Sequence, residues 1–312
     1  MIKKNLAPIF ALILIIIFFV QPNIVRAGAI NGISLWYNKI LPVLFPMFIL
    51  SNILLQYSFL YDILEKISLI SRKMLGSSFA IIPFIISIIS GYPSGALAID
   101  LIVKNNRISN SEGKYLLTFT NLCSFQFISA VVVMSMLKDM NLLIYIVLPH
   151  YIGAIVLCKF IKKDFRDIKI SKKENLIKQV SFNEAFSNAI SKSIISILTI
   201  AGVIVIFSIL SEYIMSIVLT GNSSGIKEIL VSLLIGMLEL TNGCNIISSS
   251  LLPIEVKLIL LNFLISFAGC SIIFQTITVT SKVDINILEY IKVKLVHGII
   301  SSLILIIMLI IL

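Results

Sequence analysis

Two polar interruptions inside hydrophobic stretches hold the residues best suited to bind a solute. The first is Ser90–Gly95 (SGYPSG), within residues 79–103, and the second is Glu239–Asn245 (ELTNGCN), within residues 226–252. Glycine, proline and small polar residues free backbone N–H and C=O groups that lipid cannot satisfy. Such stretches persist in a membrane only where protein buries them or where they line a wet cavity. We therefore expect both interruptions to form a binding site.

A new helical arm is predicted to begin just after each interruption, at Ser94–Ala96 and at Asn242–Cys244. The free N–H groups and positive dipole end of a helix N-terminus favour anions. Polar residues in the segments that follow would complete a hydrogen-bonding cage; these are Thr120, Asn121, Ser124, Gln126, Asn262, Ser271 and Gln275. The predicted substrate-binding residues are Ser90, Gly91, Tyr92, Pro93, Ser94, Gly95, Asn121, Ser124, Gln126, Thr241, Asn242, Gly243, Asn245 and Gln275.

A purely structural interpretation of these residues remains open. Gly91 and Gly95 have the G-x-x-x-G spacing that lets two helices approach closely. The amide and hydroxyl side chains could hold helices together by ordinary hydrogen bonds. Pro93 and the matching interruption in the second half favour the site.

Glu239 is the single residue that points most sharply to function. An ionisable group at an intramembrane interruption is costly, and it is by default a functional hypothesis. Glu239 could bind a coupling cation or carry a proton. The alternative is a carboxylate that caps the N–H groups freed at the interruption.

The sequence offers little for catalysis, metals or cofactors. Gly221–Gly225 matches G-x-S-x-G, but it lies in a short polar loop rather than at a strand-to-helix elbow, so we interpret it as a turn. His150 and His297 lie in apolar segments without a metal partner at ligand spacing, and we expect both to be hydrogen-bonded core residues. We therefore predict no enzymatic activity, no cofactor and no metal site.

Composition explains where these residues must lie. Hydrophobic residues make up 58% of the 312 positions and charged residues 13%, and the mean hydropathy is +1.07. A soluble fold of this size has too little interior for so many apolar side chains. The net charge of +10 lacks the aromatic-interleaved basic stripe of a nucleic-acid-binding surface. We predict one all-α, polytopic domain in the lipid bilayer, and no nucleic acid as a partner.

Nine hydrophobic segments approach the length of about 20 residues that crosses a bilayer. They are Leu6–Gln21, Ser34–Tyr57, Phe79–Val103, Tyr115–Leu137, Asn141–Ile161, Ser193–Thr220, Ile226–Leu252, Val256–Val279 and Ile291–Leu312. The first could be a retained helix or a cleaved secretory signal, because Lys3 and Lys4 precede it and Ala27–Ala29 resembles a cleavage site.

The distribution of basic residues indicates that the two interrupted segments do not cross. If both return to their own side as re-entrant hairpins, most of the 25 Lys and Arg residues become cytoplasmic, including the eight in Lys159–Lys178. Only Arg26, Lys39, Lys138, Lys227 and Lys257 then remain outside. If all nine segments span, the larger share lies outside instead. About seven spanning helices and two hairpins are thus predicted.

This topology makes the two halves inverted copies of a helix–hairpin–helix unit. The first repeat covers residues 34–137 with its hairpin at 79–103, and the second covers 193–280 with its hairpin at 226–252. A connecting helix and basic cytoplasmic loop occupy residues 138–192, and a last helix occupies 281–312. Inverted repeats with interrupted helices near the bilayer midplane are typical of secondary transporters.

The chain resembles the YlbJ-type sporulation integral membrane proteins, which carry a nucleoside-recognition or gate domain. The similarity rests on Leu41–Ile49 (LPVLFPMFI), Ser90–Ala96 (SGYPSGA), Phe119–Asn121 (FTN), His150–Gly153 (HYIG) and Glu239–Gly243 (ELTNG). Order and spacing hold from about Gly32 to the C-terminus. The resemblance implies a protein of the mother-cell-derived membrane around the forespore that moves dipicolinic acid toward the spore. Its gate domain is similar to that of concentrative nucleoside transporters.

The function we predict is therefore secondary transport of a small polar or anionic solute, dipicolinate first among the candidates. Two alternatives remain open: a transporter of nucleoside-like solutes, and a membrane scaffold that spore assembly requires but that transports nothing. The expected partners are the solute, the lipid bilayer, a coupling H⁺ or Na⁺ ion, and in one arrangement a second copy of the chain.

Overall fold

In this computed structural model, the described residues are 2–54, 56–57, 66–104, 106–161, 165, 181–218 and 226–311. Most of the predicted basic loop Lys159–Lys178 and the Gly221–Gly225 turn lie outside them. Within the described residues every regular element is helical, as expected for an apolar chain whose backbone groups must be satisfied inside each segment. Buried leucine, isoleucine, valine and phenylalanine side chains form two adjoining hydrophobic cores.

The helices of the first half are α1 (Ile2–Val20), α2 (Pro22–Leu35), α3 (Leu41–Leu54), α4 (Ser68–Leu75), α5 (Ile81–Ser90), α6 (Ser94–Lys104) and α7 (Asn110–Thr120), followed by a π-helical segment, Phe127–Leu137. A π-helical turn, Trp36–Ile40, joins α2 to α3. The remaining helices are α8 (Leu143–Ile161), α9 (Phe182–Val218), α10 (Ile226–Leu238), α11 (Leu240–Ser249), α12 (Ile254–Phe267), α13 (Gly269–Val279) and α14 (Ile287–Ile311).

Five helical stretches of the described residues are long and apolar enough to cross a membrane. They are Pro22–Ile53, Met140–Ile161, Phe182–Ile217, Ile254–Ile277 and Ile287–Ile311. The protein is therefore an integral membrane protein with several crossings. Only Ile254–Ile277 is mostly buried by the rest of the chain, at 61% of its most apolar window, so it is the innermost of the five.

Several of the predicted segments differ from the observed helices; among them, Ser193–Thr220 begins earlier, at Phe182, and Val256–Val279 is broken at Ala268. The predicted segment Ser34–Tyr57 begins earlier, at Pro22, so Ala27–Ala29 lies inside a helix. In that helix Gly28 packs on Ile209 of α9, where a Cβ atom at Gly28 would lie 2.6 Å from the Ile209 Cα atom. The predicted spanning helix Tyr115–Leu137 is not one helix, because the chain leaves helical conformation between Thr120 and Phe127.

Each polar interruption folds into a helical hairpin. Helices α5 and α6 pack against each other, and so do α10 and α11. Gly91 turns the first hairpin with φ +72°, a conformation that favours glycine. In both hairpins a glycine of the second arm faces the first arm at a distance too short for a side chain: Gly95 faces Ser87, and Gly243 faces Gly236.

The helices of the two halves have the same packing partners. In the first half α5 contacts α3, α6 and α7; in the second, α10 contacts α9, α11 and α12. The halves also exchange matching contacts, since α6 packs on α13 and α11 packs on the π-helical segment Phe127–Leu137. Helices α8 and α14 pack on each other and on α7 and α12.

Candidate functional site

A buried cavity lies where the two hairpin tips meet. Its volume is about 50 Å³, which is room for a few water molecules. The tips contribute Ser90, Gly91, Tyr92, Glu239, Leu240 and Thr241. Cys123, Ser124 and Phe127 follow α7, Ile272 and Gln275 belong to α13, and Ile40, Leu44, Ile200 and Ile204 complete the wall.

Each hairpin tip also contacts the break in the helix that follows it. A Cβ atom at Gly91 would lie 2.9 Å from the backbone nitrogen of Ser124, in the break after α7. A Cβ atom at Gly269, in the break between α12 and α13, would lie 3.1 Å from the Gly236 carbonyl oxygen. Ala268 occupies this second break with φ +78°, which is uncommon for alanine. The centre of the protein therefore contains four helix interruptions, of which two were predicted.

Seven of the predicted functional residues line the cavity; they are Ser90, Gly91, Tyr92, Ser124, Glu239, Thr241 and Gln275. Ser90 is 2% exposed, and its hydroxyl has no hydrogen-bond partner among the described residues. The Ser124 hydroxyl accepts a hydrogen bond from the Phe127 backbone N–H at 3.1 Å.

Glu239 caps the second arm of its hairpin. It precedes α11 in an extended conformation, and its Oε2 accepts a hydrogen bond from the Asn242 backbone N–H at 2.6 Å. The side chain is 2% exposed, and the residue lines the cavity. The capping role left open by the sequence is thus present, and it places a carboxylate where a free helix N-terminus was expected to receive an anion.

The other eight predicted residues lie outside the cavity lining. Pro93 precedes α6, and Ser94 and Gly95 form its first turn; Gly95 and Gly243 serve close packing within the hairpins. Gln126 is half-buried beside the π-helical segment. In this arrangement neither predicted helix N-terminus, Ser94–Ala96 or Asn242–Cys244, lines the cavity in which an anion could bind.

Three predicted asparagines tie distant elements together. Asn242 Nδ2 donates to Ser208 Oγ of α9 at 2.6 Å, and Asn245 Oδ1 accepts from Lys39 Nζ at 2.7 Å. Asn121, in the break after α7, donates from Nδ2 to Thr276 Oγ1 at 3.0 Å and to Tyr290 Oη at 2.9 Å. Asn121 thereby joins the first half to α13 and α14.

Helix α14 carries a buried polar stripe, of which only His297 was predicted to be a buried hydrogen-bonded residue. Tyr290, Lys294, His297 and Ser301 are buried at helical spacing, and the last three are 0% exposed. Lys294 had been counted among the cytoplasmic basic residues, but it lies inside the protein. The signal that could have found it is the i, i+4, i+7, i+11 spacing of four polar residues in an apolar helix.

The two histidines occupy this same region as buried, hydrogen-bonded residues. His297 Nε2 lies 3.0 Å from the His150 carbonyl oxygen, and His150 Nδ1 lies 2.8 Å from Ser266 Oγ. His150 Nε2 accepts a hydrogen bond from the Cys123 backbone N–H at 3.3 Å. Within the described part of the chain, no group of three His, Cys, Asp or Glu residues could hold a metal ion.

Comparison with curated proteins finds one distant relative. The chain is 23% identical over 305 residues to the sporulation integral membrane protein YlbJ of Bacillus subtilis (strain 168), which covers 87% of this chain and 74% of the relative. No family model matches the chain, and no solved structure matches it.

Proposed function

The chain is a distant member of the family of the sporulation integral membrane protein YlbJ, and from this we propose that it is a secondary transporter of a small anionic solute, dipicolinate first among the candidates. One observation carries the proposal. Both hairpin tips, with Ser90 and Glu239, converge on a single buried cavity at the interface between the two halves. Broken helices that meet at a central cavity are the usual substrate site of secondary transporters.

The dimensions of the hairpins favour a re-entrant topology. Helices α5, α6 and α11 have 10 or 11 residues each, which corresponds to about 15 Å at 1.5 Å per residue. The hydrocarbon core of a bilayer is about 30 Å thick. These three arms therefore reach about half-way, and α10, with 13 residues or about 20 Å, reaches about two-thirds of the way. Such lengths favour a hairpin whose tip lies near the midplane and whose two ends lie on the same side.

The matching contacts of the two halves favour an inverted repeat. The same packing partners recur around α5 and around α10, and each second arm contacts the other half's broken helix. The distribution of basic residues favours a first hairpin that enters from the cytoplasmic side and a second that enters from the opposite side. With this orientation the cavity lies between two gates, one on each face of the membrane.

Transport then requires a second arrangement of the hairpins. The cavity of about 50 Å³ is well below the volume of roughly 300 Å³ and more that encloses drug-sized ligands. A pyridine dicarboxylate has about a dozen non-hydrogen atoms, so it enters only when a hairpin moves away. In this proposal the observed arrangement is closed to both sides.

Glu239 is the residue we propose to couple transport to an ion. Its Oε2 is engaged by Asn242, whereas the residue as a whole forms part of the cavity wall, where a proton or Na⁺ could reach the carboxylate. A gradient-driven carrier needs such a group at the site that alternates between the two sides.

The test is flux in a purified system. Proteoliposomes that contain the full chain should accumulate or release radiolabelled dipicolinate faster than empty vesicles, and an imposed proton or Na⁺ gradient should change the rate. Correctly folded protein with no flux above that of empty vesicles would contradict the proposal. A panel of dicarboxylates and nucleosides would separate dipicolinate from the nucleoside-like alternative.

A second candidate function is that of a membrane scaffold, and the small volume of the cavity is the observation that favours it. A scaffold needs the fold and its surface but no solute site. If Ser90→Ala and Glu239→Gln leave sporulation intact while deletion of the basic loop abolishes it, the scaffold is favoured. Loss of sporulation in Glu239→Gln, at normal protein level, favours transport.

A further inference from the structure

Lys294 is a fully buried lysine in the middle region of the protein. Its relative exposure is 0%, and it lies on α14, one of the five helices that can cross the membrane. Burial of an ammonium group is costly unless an opposite charge or several hydrogen bonds compensate it. Ionisable residues inside membrane segments are for this reason functional candidates.

The contacts of Lys294 compensate its charge only in part. Its Nζ donates to the Asn121 carbonyl oxygen at 2.5 Å, a carbonyl freed by the break after α7. The same Nζ lies 5.6 Å from the ring centroid of Tyr92 and 5.7 Å from that of Tyr290, within the range of a cation–π contact. Among the described residues, no carboxylate lies within ion-pair distance of Lys294.

Two other buried carboxylates, Glu239 and Asp100, have hydrogen-bond partners of their own. Glu239 caps α11. Asp100 accepts hydrogen bonds from the Lys282 backbone N–H at 2.6 Å and from Ser281 Oγ at 3.1 Å, and so holds the loop after α13. Neither forms an ion pair with the lysine.

The ammonium group lies one side-chain layer behind the cavity. Tyr92, whose ring it faces, is a wall of the cavity, and so is Cys123, two residues beyond the carbonyl that Lys294 binds. In a protein interior of low dielectric, a charge at this depth acts strongly on any ion in the cavity. The first turn of α6 does not line the cavity, and that of α11 reaches it but is capped by Glu239, so Lys294 is the cation best placed to attract an anion.

We propose that Lys294 is the counter-charge for the transported solute, and that it makes the cavity selective for small carboxylate anions over neutral molecules of the same shape. This inference rests on the transport function proposed above and assigns its charge selectivity to one residue. The anion completes the compensation of a cation that has no carboxylate partner among the described residues. A neutral molecule in the cavity would leave the buried lysine without a counter-charge, so it would bind less tightly than an anion of the same shape.

The variants separate charge from hydrogen bonding. Lys294→Gln removes the charge but keeps a donor that can reach toward the Asn121 carbonyl, and Lys294→Arg keeps both. Lys292→Gln is the matched control, because Lys292 lies two residues away on the exposed face of the same helix. Size-exclusion chromatography and a cooperative melting transition show that each variant is folded.

The probes are dipicolinate and its neutral diamide, which have the same ring and nearly the same shape. In detergent, dipicolinate should raise the melting temperature of the wild type more than the diamide does. We expect Lys294→Gln to weaken dipicolinate binding at least about tenfold and to leave the diamide unchanged, since loss of a charge partner typically has effects of this size or larger. Lys294→Arg should stay within a few-fold of the wild type, and Lys292→Gln should match it.

Two results of these measurements would contradict the role of Lys294 as a counter-charge. Equal binding of dipicolinate and diamide by the wild type contradicts it without any variant, as does unchanged dipicolinate binding by folded Lys294→Gln. The transport proposal fails separately, when wild-type proteoliposomes show no flux. In that case the melting shift of the wild type with the charged and neutral probes still decides whether the cavity selects anions.

Discussion

Gly243 packs so closely on Gly236 that a Cβ atom at Gly243 would overlap the Gly236 Cα atom. The two glycines lie on opposite arms of the second hairpin, and they set how near α11 comes to α10. In the first hairpin Gly95 faces Ser87 in the same way. The sequence left open whether the G-x-x-x-G spacing of Gly91 and Gly95 serves a binding site or close helix packing. Gly95 serves packing, as Gly243 does in the second hairpin, whereas Gly91 lines the cavity.

A first prediction concerns this contact. Gly243→Ala should destabilise the protein by about 1–3 kcal/mol, the usual range for overpacking a tight interface, because backbone atoms cannot move aside as a side-chain end can. The measurement is the melting temperature in detergent. Gly202→Ala is the control, since no atom lies within 4 Å of a Cβ atom at Gly202. Equal melting temperatures for the two variants would contradict the close packing.

A second prediction separates the two roles of Glu239. Glu239→Ala removes the cap of α11 and should cost about 0.5–2 kcal/mol of stability. Glu239→Gln keeps an oxygen that can accept the Asn242 N–H, so its loss of stability should be smaller. If Glu239 couples transport to an ion, Glu239→Gln should still exchange solute across proteoliposome membranes but no longer respond to a proton or Na⁺ gradient.

The control for this experiment is Glu184→Gln, the same change in the exposed first turn of α9. It should alter neither stability nor coupling. Gradient-driven uptake by Glu239→Gln at the wild-type rate would leave Glu239 as a capping residue alone.

A third prediction uses two buried serines of α5. Ser87 and Ser90 both have hydroxyl groups without a hydrogen-bond partner among the described residues, but only Ser90 lines the cavity. Replacement of either by alanine removes no hydrogen bond from the protein, so stability should change by less than about 1 kcal/mol. Ser90→Ala should weaken solute binding several-fold, whereas Ser87→Ala should leave it unchanged. Identical dipicolinate melting shifts in both variants would exclude the Ser90 hydroxyl from the site.

A fourth prediction tests the topology. In a cysteine-free background, Ser111→Cys, in the exposed first turn of α7, should resist a membrane-impermeant thiol reagent added outside intact cells. Asn141→Cys, exposed beyond the π-helical segment, should react. The re-entrant topology places the first position inside and the second outside. If both hairpin segments crossed the membrane instead, the two labelling results would be exchanged.

The sequence alone determined the class of the protein and the positions of the two polar interruptions. Hydropathy and helix interruption are local properties, so Ser90–Gly95 and Glu239–Asn245 are recognisable without knowledge of what surrounds them. Local chemistry also predicted a cap at Glu239 as one of its two roles, and the hydrogen bond to Asn242 confirms that role.

Tertiary structure decided which polar residues meet. Lys294 and Asn121 are 173 positions apart, and no periodicity within α14 specifies that its lysine ends beside the break after α7. The conformation of Ala268 is not specified locally either, because alanine favours helix, and the adjoining Gly269 packs against the second hairpin. The apolarity that a bilayer requires is a property of each segment by itself. The compensation of a buried charge depends on how the helices are assembled, so only their packing shows it.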